Sequence, residues 1–268
     1  MKEDNIRDSD HRLEPPNSGP EPLSLENLQD ALLCRAAEID AVTKELDGYA
    51  YGISHHLRTP IRIIDEAAKA LLSETPLSLS AKSRDQLRKL VREASCMASL
   101  SNALLDLSRV GRAAMRLEVL SVRSLIKPLI LKLKAGAPHR QAEFRITPDI
   151  EILGDFDLLR TAFSHLLENA WKFTAGTERT EIEIGETTID GRNVLFIQDN
   201  GIGFDPAYED RLFVPFGTLH SRTDYPGHGL GLAIVRRIVH RHHGRTWAVG
   251  QLEQGATFFL EFPNNELF

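Results

Sequence analysis

The sequence predicts an α+β protein: an antiparallel helical hairpin, completed by a second copy into a four-helix bundle, then an α/β sandwich of one sheet and one helical layer. Three observations predict it. Apolar residues recur at spacings of three, four and seven through two long stretches as far as Leu107. After Gly111 the pattern changes to short strands separated by helices. Two glycine clusters, at 201–203 and 227–231, then flank a long polar loop.

Residues 1–23 are polar, with Asp, Glu, Asn, Pro and Gly and almost nothing to bury, which predicts a disordered N-terminus. Ser24 opens an amphipathic stretch whose stripe is Leu25, Leu28, Leu32, Ile39, Val42, Leu46, Tyr49 and Ile53, a coiled-coil pattern. It continues through Ile61, Ile64, Ala68 and Leu71, with Pro60 inside it to kink or loosen one turn. Thr75-Pro76-Leu77-Ser78 breaks the helix, and Leu87 to Leu107 supplies the stripe of a second one. A lone hairpin leaves that stripe uncovered, so homodimerisation is the physical expectation for 24–110.

The second domain, 111–263, reads as strands at 117–122 and 143–146 around a helix at 124–134, then a strong helix at 157–173. Strands at 181–186 and 194–198 turn at Asp190-Gly191. A helix at 229–241 stops at Gly244, and strands at 245–249 and 257–262 close the sheet, leaving 264–268 as a tail.

Hydrophobic residues at 42% and charged ones at 26% fit a soluble globular protein, and a net charge of −6 gives no basic footprint for nucleic acid. No apolar run is long enough to span a bilayer, and the charged first residues resemble neither leader nor anchor. Cys34 and Cys96 lie far apart in helical patterns and read as reduced thiols. The expectation is a cytoplasmic protein without membrane insertion.

The chemistry gathers in five segments. In Ser54-His55-His56-Leu57-Arg58-Thr59-Pro60, His55 is a helical imidazole able to attack phosphorus, and Thr59 follows one turn later on the same face. In the 157–173 helix, His165, Asn169 and Lys172 share a face: an amide oxygen suits Mg²⁺, and a lysine suits phosphate. Glu168, next to Asn169, is turned about 100° away around that helix. Asp199-Asn200-Gly201-Ile202-Gly203 follows an apolar strand, where a buried carboxylate can accept the adenine amino group and glycines let backbone approach the base. Leu212-Phe213-Val214-Pro215-Phe216 lies in the polar loop 206–226, whose length suits a lid. Gly227-His228-Gly229-Leu230-Gly231-Leu232 opens a helix whose free N–H groups favour phosphate. It is neither a Walker loop nor a dinucleotide fingerprint.

With these segments in this order, the chain resembles the core of two-component sensor histidine kinases, a dimerisation and phosphoacceptor hairpin followed by a GHKL-type ATPase domain, over about 45–263. The resemblance implies His55 as phosphoacceptor and Thr59 as the position used for phosphatase activity. It implies Asn169 as Mg²⁺ ligand, Lys172 as phosphate contact, and Asp199 with Gly201 and Gly203 as the adenine site. Phe213 and Phe216 match the lid motif, Gly227, Gly229 and Gly231 the last glycine box, and Thr257 a threonine near the adenine. ATP and Mg²⁺ are the implied ligands. A response-regulator receiver domain and a second copy of the chain are the implied partners, with a separate sensor protein as a source of input. Asn-Ala-Trp-Lys-Phe-Thr and Arg-His-His-Gly-Arg-Thr-Trp resemble the phytochrome-associated subgroup.

Two departures stand out. The family usually has Asp or Glu after the phosphoacceptor, where this chain has His56. A neutral imidazole can take the proton but supplies no negative charge, which predicts slower autophosphorylation, or a kinase-weak scaffold biased towards phosphatase activity. ATP-hydrolysing relatives place a general-base glutamate where this chain has His165, which favours transfer to His55 over hydrolysis; the histidine segment and its dimerising hairpin argue against a serine kinase or ATPase.

Overall fold

The structure is a computed structural model that describes residues 25–74, 80–112, 114–219, 225 and 227–263. The expected disordered N-terminus (1–23), the hairpin break at 75–78 and the tail (264–268) fall outside the described residues, as do lid positions 220–224 and 226.

The chain divides into two compact units, Met1–Thr43 and Lys44–Phe268. Helix α1 (Leu25–Glu74) supplies all the described structure of the first, where Leu32 and Leu33 are exposed. In the second, α1 continues helical through Pro60 and is followed by α2 (Ala81–Arg112). The α2 start is capped by Ser80, whose hydroxyl accepts the Ser83 N–H at 3.0 Å. On α1, Ser54, Ile61 and Ala68 are buried at seven-residue spacing. The Ser101 hydroxyl donates to the Ser54 carbonyl at 2.7 Å, and Arg58 donates to Asn102 Oδ1 at 2.8 Å, tying α2 to α1. A different face of α1 stays open: Ile53, Leu57, Ile64 and Leu71 are 57%, 40%, 47% and 50% exposed.

The sandwich begins with β1 (Leu117–Ser121), α3 (Val122–Gly136), β2 (Ala142–Ile146), β3 (Glu151–Asp155) and α4 (Phe156–Phe173). It continues with β4 (Thr180–Ile189), β5 (Arg192–Asp199), α5 (Gly231–Arg241), β6 (Arg245–Gln251) and β7 (Gly255–Glu261). The main sheet has the order β2-β4-β5-β7-β6, with β2 parallel to β4 and the other pairs antiparallel. Its inner residues Ile182, Ile184, Leu195, Ile197, Phe258 and Leu260 join Leu166, Leu167, Ile234 and Ile238 from the helices in one core. That core also takes Val110 and flanking Ala103 and Leu107 from α2, so hairpin and sandwich share it.

Two elements were not legible in the sequence. β3 is only five residues and pairs antiparallel with β1 outside the main sheet. Its Asp155 caps α4, accepting the Leu158 N–H at 3.1 Å, which starts that helix at Phe156. The predicted lid loop also opens with a 3₁₀ turn, Pro206–Arg211, capped by Asp205 accepting the Ala207 N–H at 2.9 Å. The last helix begins at Gly231, two residues after the predicted start.

Candidate functional site

Six parts of the chain meet around one cavity of about 290 Å³, near the lower end of ligand pockets. α4 contributes His165, Glu168, Asn169, Lys172 and Phe173, and the end of β5 contributes Asp199. The 203–219 loop, the glycine segment 227–231 and β7 close three sides, and Ser99 and Ala103 of α2 form the wall towards the hairpin.

Asp199 ends an apolar strand and is 4% exposed. Its Oδ1 accepts the Gly201 N–H at 2.9 Å, and the Ala256 N–H also bonds to the carboxylate. Burial still outweighs both and pushes its pKa up to about 6. The carboxylate thus retains acceptor capacity inside a cavity. Gly203 has φ +61°, and a Cβ there would lie 1.9 Å from the Gln251 carbonyl oxygen, so only glycine lets this loop cross β6 beside Asp199.

Lys172 also lines the cavity, with Nζ 4.1 Å from the Phe173 ring centroid, and burial lowers its pKa. A Cβ on Gly227 would sit 3.2 Å from that nitrogen, so the glycine segment runs alongside the ammonium. Gly229 has φ +68°, and its carbonyl accepts the Phe216 N–H at 2.9 Å, which ties the lid motif to the glycine segment. His165 lies against Gly231 at the α5 start, and burial lowers its pKa against the opposing charges of Glu168 and Asp106. Glu168 is exposed at the cavity rim, and its carboxylate accepts the Ser164 hydroxyl at 2.9 Å.

The structure therefore brings Asn169, Lys172, Asp199, Gly203, Gly227, Gly229 and Gly231 to one cavity, with Gly201 bonded to Asp199. Phe213, within the loop, is buried, its ring 6.5 Å from that of Phe258. Two expected residues stand elsewhere. Thr257 lies on the opposite face of the sheet, because strand alternation gives the cavity side to Ala256 and Phe258. Phe216 is 53% exposed with φ +64° and does not line the cavity; its backbone, not its ring, holds the lid.

His55, His56 and Thr59 are exposed on α1. The His55 ring stacks on Tyr51 at 6.1 Å and meets His56 edge-on at 5.8 Å. α2 meets α1 at this level through Ser101 and Asn102, and meets the cavity through Ser99 and Ala103. α2 thus stands between the α1 histidines and the cavity.

Sequence reasoning missed Tyr225, whose ring lies 5.4 Å from Phe173, and His228, which reaches Cys96 of α2. Their position beside the glycine box was the available signal. Nothing in the sequence marked Ser99 and Ala103, two small residues one helical turn apart.

A helical hairpin with an exposed histidine pair, joined to an α/β sandwich whose cavity holds a buried aspartate and a glycine-bounded helix start, defines the class: histidine kinase cores. Known proteins agree. The family model described as His Kinase A (phospho-acceptor) domain matches residues 46–113. The one described as Histidine kinase-, DNA gyrase B-, and HSP90-like ATPase matches 154–266. The chain belongs to the histidine kinase family. It is 30% identical over 234 residues to Cyanobacterial phytochrome A of Nostoc sp., covering 87% of this chain and 30% of that protein. It is 30% identical over 245 residues to Sensor protein kinase WalK of Staphylococcus aureus, covering 87% of this chain and 57% of that one. Among solved structures, full-length ShkA in complex with AMPPNP superposes with a TM-score of 0.59 at 29% identity, over 81% of this chain and 45% of that chain. The chain spans about 30% of the length of the phytochromes that it matches. Among the described residues, no helix is long and apolar enough to cross a membrane.

Proposed function

We propose that the chain binds Mg-ATP, phosphorylates His55, and passes the phosphoryl group to an aspartate of a response-regulator receiver domain. The observation that carries this reading is a buried carboxylate, Asp199, held by backbone N–H groups alone among the interactions that set its pKa and facing a cavity bounded by Lys172 and a helix start. That combination fits adenine at one end and phosphates at the other.

Asp199 accepts the adenine amino group, and Gly201 and Gly203 admit the base. Lys172 and the segment with Gly227, Gly229 and Gly231 hold the phosphates under the lid rooted by Phe213 and Phe216. Asn169 holds Mg²⁺, which when bound neutralises charge on the polyphosphate. The uncharged His55 nitrogen attacks the γ-phosphorus, the bond to the bridging oxygen breaks, and ADP leaves with that electron pair. His56 takes the proton from the other ring nitrogen, and Thr59 orients water for dephosphorylation. Because α2 stands between His55 and this cavity, transfer requires the 111–263 domain to leave its position here. A second copy covers Ile53, Leu57, Ile64 and Leu71 to form the four-helix bundle of 24–110.

The histidine at position 56 favours a second reading, a kinase-weak scaffold or phosphatase-biased regulator that binds nucleotide without effective transfer. Incubation with γ-labelled ATP separates the two. Acid-labile label on the wild type, absent from His55→Ala while ATP still binds, is the expected result. Acid-stable label, or label that survives His55→Ala, overturns the reading; nucleotide binding without label leaves the scaffold.

A further inference from the structure

We infer that His228 is a two-position latch, holding the glycine segment on α2 through Cys96 when no phosphate is present and turning to the polyphosphate when nucleotide binds. This deepens the ATP-binding reading above and rests on it.

His228 lies between Gly227 and Gly229 and lines the cavity. Its backbone starts beside the ammonium of Lys172, which a Cβ on Gly227 would approach to 3.2 Å. The imidazole is thus built at the phosphate side of the cavity. In this structure its ring reaches across to the hairpin. Cys96 Sγ is 3.8 Å from Nε2 and 3.9 Å from Nδ1. Near-equal distances to both nitrogens place the sulfur against the ring rather than on one donor–acceptor line. A thiol is a weak hydrogen-bonding group, so this contact is easily exchanged. A phosphate oxygen offers the same ring a charge-assisted bond, roughly twice as strong as a neutral one.

Because the sulfur lies against both ring nitrogens, a phosphate oxygen that takes an in-line bond from either one competes with it. Binding of a phosphate tail therefore withdraws His228 from Cys96 and removes a contact between glycine segment and α2. Ser99, three residues beyond Cys96, also lines the cavity, so this release occurs at the wall that separates nucleotide from hairpin. Nucleotide binding and departure of the sandwich from α2 are then coupled through one side chain.

Calorimetric affinities of the full chain for Mg-ATP and for adenosine test this. His228→Ala should weaken Mg-ATP about five- to tenfold, as for one charge-assisted bond, and leave adenosine within about twofold. Cys96→Ala should tighten Mg-ATP about two- to threefold, without effect on adenosine, because it removes the competing partner. Adenosine binding serves as the folding control. Equal weakening of both ligands by His228→Ala would assign the ring a structural role and overturn the latch. Unchanged ATP affinity in either variant would also overturn it. If the unaltered chain binds neither ligand, the ATP-binding reading itself fails.

Discussion

His55 stands exposed on one helix, and everything near it in sequence is near it in space: Tyr51, His56 and Thr59 lie within two turns. Asp199 is 4% exposed in a cavity whose walls come from α2, α4, β5, the lid, α5 and β7. The hairpin leaves its chemistry and one apolar face open, while the sandwich closes both. Under the proposed function, a nucleophile that meets a nucleotide and then a partner protein needs access, and a carboxylate that recognises a base needs exclusion of water to discriminate. The two regions are thus folded to opposite requirements, and α2 serves both, one face on α1 and another on the cavity.

The widest separation between the regions should come from breaking the open face of α1. Ile64→Glu places a carboxylate in the middle of the Ile53, Leu57, Ile64 and Leu71 stripe, 47% exposed in one copy. In a dimer both copies bury that charge, each at a cost of about 3 kcal/mol or more. Light scattering should show the dimer dissociation constant raised at least about a thousandfold, with ATP affinity unchanged because the cavity lies elsewhere. A chain that is already monomeric before substitution would remove the dimer from the account.

Asp199→Asn sharpens the same comparison from the closed side. It should weaken ATP on the order of a hundredfold by calorimetry, since a charged hydrogen bond in a buried site is lost. The pH dependence follows from burial. The folded pKa, about 6, lies above the ordinary carboxylate value. The unligated protein therefore gains from protonation: the stabilisation is full below the ordinary pKa and is lost as pH rises through about 6. Relative to Asp199→Asn, the wild type should lose thermal stability between about pH 4 and pH 7. ATP affinity should run the other way, rising over the same range as the carboxylate ionises to accept the adenine amino group. A flat difference curve would contradict the burial argument.

Local sites were more legible in the sequence than composite ones, and the reason is geometric. The His55 segment and the helix with Asn169 and Lys172 depend on helical spacing, which residues report directly. The strand bearing Asp199 was readable from its apolar run and the glycines that follow. Thr257 was misplaced because its face depends on a one-residue register that Ala256 and Phe258 settle only once paired with β5. β3 was missed because its five residues hold one buried large apolar side chain, Ile152, with Ile150 just before the strand, which gives too little alternation. Ser99 and Ala103 could not be found at all, since small residues on a helix carry no signal until another domain lies on them.

The smallest effect tests the open region's own anomaly. His56 meets His55 edge-on at 5.8 Å, and both are exposed, so neither ring is constrained by burial. A carboxylate at position 56 would add negative charge beside the imidazolium that forms as His55 attacks, and would accept its proton. His56→Glu should therefore raise the autophosphorylation rate about three- to tenfold at neutral pH, a fraction of what general-base catalysis can supply. ATP affinity should not move, because the substitution lies across α2 from the cavity. Initial rates at saturating Mg-ATP, set beside calorimetric affinities, separate the two quantities. If the rate does not rise, position 56 does not limit transfer, and the departure of the sandwich from α2 becomes the slow step. In that case Cys96→Ala, which loosens that contact, should accelerate labelling where His56→Glu does not.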